Sequence, residues 1–108
     1  MVPIIQQQID PENSASGTVD RSVSDKNTNF TFYLIADEDS ASVDVEFRTK
    51  PDGLNWYEDE AEELQNEDIS DGKAFRPETR GSKQVQIIVT NQDNDPINVT
   101  VEVKQYVN

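Results

Sequence analysis

The chain has 108 residues, with 22 Asp and Glu against 9 Lys and Arg, a formal net charge of -13, and neither Cys nor His. This length supports one domain, and the missing residue types exclude a disulfide framework, a thiolate nucleophile, the usual zinc sites and any histidine-based acid–base pair. Its apolar runs, residues 2–5, 32–36 and 87–89 among them, are far shorter than the ~20 residues of a membrane-spanning helix. Phosphate contacts need Lys and Arg, so neither nucleic acid nor membrane is an expected partner.

Val and Ile number nineteen, against nine for Leu, Ala and Met together. β-Branched side chains favour a pleated surface over a helix. In chain order, the bulky residues Val2, Ile4, Ile5 and Ile9 come first, and residues 4–9 read as a strand. They precede a polar link, residues 10–17 (DPENSASG), with the composition of a flexible connector. Residues 1–17 are therefore expected to form an extended arm and link, and 18–108 a single domain. The arm either returns as an edge strand or reaches a neighbouring subunit, which makes Val2, Ile4, Ile5 and Ile9 candidate interface residues.

Residues 18–23 are a weak strand candidate. Residues 29–36 (NFTFYLIA) place Phe30, Phe32 and Leu34 on one face and Thr31, Tyr33 and Ile35 on the other, the pattern of a central strand. An acidic turn at 37–40 leads to 43–48, where Val43, Val45 and Phe47 alternate with charged residues. The turn signature Lys50-Pro51-Asp52-Gly53 precedes a short strand at 54–57. Residues 58–71 carry eight carboxylates in fourteen positions and no base, and read as a solvated loop or a short helical turn. A weak strand at 73–76 follows. Val85, Ile87 and Val89, then Ile97, Val99, Val101 and Val103, mark two clean strands joined by the turn formers of 91–96, and together they read as a hairpin. Seven or eight short strands predict an all-β antiparallel sandwich, jelly-roll or Ig-like.

The chemical candidates are few. Asn91, Asp93 and Asp95 have the spacing of a calcium loop, with Glu102 at the twelfth place, but Pro96 stands where such a loop turns on Gly. Asp93 and Asp95 are left as weak candidates for a cation at a turn, and no cofactor is expected beyond non-specific cations in high salt. A glycosidase-like carboxylate pair needs a walled cleft that a domain of this size hardly provides, so no enzyme is expected. Trp56 reads either as the core aromatic of the sandwich or, with Tyr57, as an exposed pair that stacks on a sugar or a partner surface.

The low Lys count of five and the excess of Asp (12) over Glu (10) resemble proteins of halophilic archaea. With its apolar N-terminal segment and strand rhythm, the chain resembles small β-sandwich virion structural proteins of haloarchaeal tailed viruses. That resemblance implies a non-enzymatic capsid decoration, turret or tail component, located in the virion and partnered with itself and other capsid proteins. It agrees with the absence of a secretory signal in residues 1–10, since virions leave by lysis. The other expectation is a carbohydrate- or cation-binding adhesion module that uses Trp56, Tyr57 and the acidic segment 58–71.

Overall fold

The computed structural model describes residues 3–20, 28–51, 53–58, 63–79 and 82–107. Its strands are β1 (Pro3–Ile9), β2 (Ser14–Asp20), β3 (Thr28–Ala36), β4 (Ser42–Lys50), β5 (Tyr57–Glu58), β6 (Leu64–Asp68), β7 (Lys73–Phe75), β8 (Gln84–Asn91) and β9 (Ile97–Val107). They form two antiparallel sheets. The first runs β1-β9-β3-β7 and the second β2-β8-β4-β5, with β6 also on β4. The first four strands alternate between the sheets, as do β7, β8 and β9, and this order is that of a jelly roll. The all-β sandwich expected from alternation is present.

The core lies between the sheets. One sheet contributes Phe30, Phe32, Leu34, Ile97, Val99 and Val101, the other Val43, Val45, Phe47, Val85, Ile87 and Val89. Phe32 and Phe47 meet across the gap with ring centroids 5.1 Å apart. In β4 and β8 the side chains that alternation places inward are the ones that lose their water.

Of the two readings of the N-terminal segment, the structure shows the first: strand β1 pairs with β9 along its length, and Ile5 and Ile9 are buried in their own domain, so residues 3–9 are an edge strand. Val2 lies outside the described residues. Three other expectations need correction. The link at 10–17 is mostly strand as well: β2 pairs with β8 from Ser14 to Asp20. Its residues look like a linker because they are small, and small residues are what the site demands. A Cβ on Gly17 would sit 2.8 Å from the Ile4 carbonyl oxygen, where β1 and β2 close one side of the sandwich.

The hairpin at 84–104 is not one. β8 and β9 belong to different sheets, and residues 92–96 carry the chain across the ~10 Å between them. The turns at 10–13 and 37–41 do the same, so three crossings gather at one end. Asn91, fully buried, ties two of them: its Nδ2 donates to the carbonyls of Ile9 and Asp95 at 2.9 Å, and its Oδ1 accepts from Asp93 N–H at 2.7 Å. Finally, the acidic segment 58–71 contains β6, which pairs with the first half of β4. Asn66, at φ 54, is the extra residue of a bulge there, and its N–H donates to Asp44 Oδ1. Ile69 is fully buried and links the two sheets, donating to the Ala41 carbonyl and accepting from Ala36 N–H.

Candidate functional site: the outer face of the second sheet

Trp56 is not the core aromatic. Phe30, Phe32 and Phe47 fill that role, while Trp56 is 37% exposed beside β4. The Lys50 ammonium lies 4.7 Å from the centroid of its ring, a cation–π contact. The pairing register lays out the face around it. Lys50 stands opposite Gln84, which stands opposite Asp20. One rung further along, Arg48 is flanked by Gln86 and Glu58, and Gln86 by Thr18. Side chains directly opposite share a face, so four strands present a half-buried polar field with the indole at its rim.

Internal bonds set the field's donors and acceptors. Gln84 Nε2 donates to Asp20 Oδ1, and Arg48 Nη2 donates to Glu46 Oε1 at 3.4 Å. The hydrogen bond between Glu58 and Glu46, then the negative charge of Glu46, hold the Glu58 carboxyl above the usual glutamate range. The lysine, the two glutamines and the arginine offer donors, and Asp20 and Glu46 offer acceptors. The arrangement suits a ligand rich in hydroxyls.

The structure separates residues that the sequence reading grouped. Tyr57 is half exposed but stands opposite Thr49. Successive residues on an extended stretch point to opposite sides, so Tyr57 and Trp56 do not form one platform. Of segment 58–71, Glu58 borders Trp56, while Glu67 and Asp68 pair with Val43 and Ser42 at the far end of β4. Asp93 and Asp95 lie at that same far end. Asp93 Oδ2 accepts the Ser42 N–H at 2.8 Å, which makes it a corner residue. Among the described residues no three potential metal ligands come together. Lys50, Gln84, Gln86, Thr18 and Asp20 escaped the sequence reading, because placing β8 beside β9 hid that β8 lies between β2 and β4.

No protein-family model and no curated protein sequence matches the chain. Among solved structures it is similar to the Yersinia pseudotuberculosis-derived mitogen, with TM-score 0.57 and 13% identity over 96% of this chain and 83% of that one. It is also similar to TmCBM61, solved in complex with β-1,4-galactotriose, with TM-score 0.55 and 12% identity over 94% of this chain and 68% of that one. At such identities the likeness is one of fold.

Proposed function

We propose that the protein is a non-catalytic carbohydrate-binding module whose site is the outer face of the second sheet. The observation that carries this reading is the exposed indole of Trp56 at the edge of a polar field. A pyranose ring presents C–H groups on its flat face and hydroxyls at its rim, which match an aromatic face bordered by Lys50, Gln84, Arg48 and Gln86. A sugar stacking on the face now under Lys50 takes the place of the ammonium, which then donates to ring hydroxyls. The galactotriose held by TmCBM61, a protein of the same fold, supports this choice of ligand class.

Glycoside hydrolysis finds no support in the carboxyl pair of Glu46 and Glu58. The two stand as diagonal neighbours on one face of the sheet, an arrangement unlike two carboxyls facing each other across a bound glycoside. Assembly into a virus particle, the other expectation from the sequence, would have to use surfaces other than Ile5 and Ile9, which its own core already occupies.

Affinity electrophoresis against a panel of neutral polysaccharides, β-1,4-galactan included, tests the reading. At least one polymer should retard the protein, and Trp56→Ala should weaken that binding about tenfold, a loss of ~1.4 kcal/mol. Tyr57→Ala should change it little. A panel without retardation, or a Trp56→Ala variant that binds as well as the parent, would refute the proposal.

A further inference from the structure

The opposite face of the molecule carries a second feature, independent of Trp56. On the outer side of the first sheet, a hollow of about 340 Å³ is lined by Tyr33, Ile35, Gly72, Ala74, Thr100 and Glu102, among others. The register explains the gathering: Tyr33 stands between Ala74 and Glu102, and Ile35 opposite Thr100. Ile35 is 50% exposed, an uncommon position for a large aliphatic side chain on a central strand. Gly72, at φ 85, borders the hollow, and a Cβ there would lie 3.8 Å from Ile35 Cδ1.

A second hollow, about 460 Å³, continues from the first and shares Ile35 and Thr100 with it. Its wall is Asp37, Glu38 and Asp39, all exposed, together with Ser70. The two make one open trough, apolar in its first half and acidic in its second. Lys73 is the one cation lining either hollow among the described residues, and it also faces Asp68.

We propose that this trough seats a short basic segment of a partner protein. One aliphatic side chain packs against Ile35 and Ala74, and a following Lys or Arg meets Asp37, Glu38 and Asp39. Charge complementarity chooses the sign of the partner. Tyr33 gives the floor one aromatic ring, but the acidic second half would stay unpaired beside a neutral sugar, which favours a peptide carrying a basic residue. The open, two-part shape suits an extended chain more than an enclosed small molecule.

Methyl-labelled protein, titrated with the synthetic peptide Ac-Gly-Leu-Lys-Lys-Gly-amide and followed by NMR, tests this. The Ile35 δ1 and Ala74 β methyl signals should shift saturably, with a dissociation constant below about 1 mM at low salt. Replacing Leu by Ser in the peptide, or both Lys by Glu, should abolish the shifts. Ile35→Ser should weaken binding about tenfold, as should the double variant Glu38→Lys with Asp39→Lys. Both changes lie at exposed positions, and the retained methyl spectrum reports that each variant is folded. Trp56→Ala should leave the titration unchanged. Equal shifts with the Ser peptide, the absence of saturable shifts, or stronger shifts of the same methyls by a glucosamine hexamer would overturn the proposal.

Discussion

Asn91 joins the end of β1 to the 92–96 turn with one side chain, and it does so where no water reaches. Replacing it by Ala would strand the Asp93 N–H and leave the Ile9 and Asp95 carbonyls each short of a donor. Each buried polar group left unpaired costs about 1–3 kcal/mol, so Asn91→Ala should lower the unfolding free energy by roughly 2–4 kcal/mol in urea titration. Two carboxyls give opposite pH signatures. The Ser70 backbone N–H, then the Ser70 side chain and the Ala41 N–H, hold Asp68 below its usual value of 3.8. Its contribution is present above the unfolded pKa and is lost as pH falls through the folded one. Glu58 is held above its usual 4.5, so its contribution is complete in acid and is lost as pH rises through the folded pKa. Asp68→Asn should therefore flatten the acid limb of the stability curve below about pH 4. Glu58→Gln should raise stability slightly at neutral pH by removing repulsion from Glu46. Chemical denaturation from pH 3 to 7 reads both.

At the scale of elements, β1 is the strand whose place distinguishes a closed domain from an exchanging arm. Ile9 is 2% exposed within its own core, so Ile9→Ala should cost about 2–5 kcal/mol in thermal or urea unfolding. The elution volume of the folded variant should stay that of the parent. A variant that kept full stability but dissociated from an oligomer would restore the arm. How far elements were legible follows from the same burial. Strands β3, β4, β8 and β9 announce themselves because each buries three consecutive inward residues, as Val43, Val45 and Phe47 do. Strand β2 hid because Ala15 and Gly17 fill its inward positions with almost no side chain. Strand β6 hid because it is an edge: of its five residues only Leu64 packs against the core, and the bulge at Asn66 breaks its alternation. Pairing was not legible at all, since an inward face looks the same from either sheet. The turn formers of 91–96 could make a hairpin or a crossing equally well. Trp56 shows the same limit, because three phenylalanines already fill the core and nothing in its neighbours says so.

The whole molecule carries a net charge of -13, and the ion pair of Arg48 with Glu46 is partly exposed. Self-repulsion therefore weighs on the folded state at low ionic strength. Added sodium chloride should raise the melting temperature by several degrees between about 0.05 and 0.5 M, then level off near 1 M, where the Debye length is ~3 Å. Differential scanning calorimetry across that range checks it. A rise that continues to about 3 M would instead fit the adaptation to molar salt expected from the composition. The mixed face around Trp56, with Arg48, Lys50 and both glutamines, is the part of this surface where repulsion is locally offset.

The pairing of β1 with β9 also determines how the molecule answers to mechanical load. Pro3 stands opposite Glu102, and β9 continues past it to Val107, so both ends of the described chain leave from the same end of the first sheet. Tension applied between them pulls across two neighbouring antiparallel strands and not along them. The ladder then opens one rung at a time from Pro3 toward Ile9, and each step breaks a single pair. A tether through these two ends would yield early and gradually, releasing β1 as a short extensible leader while β3 still holds β9 against the rest of the sandwich.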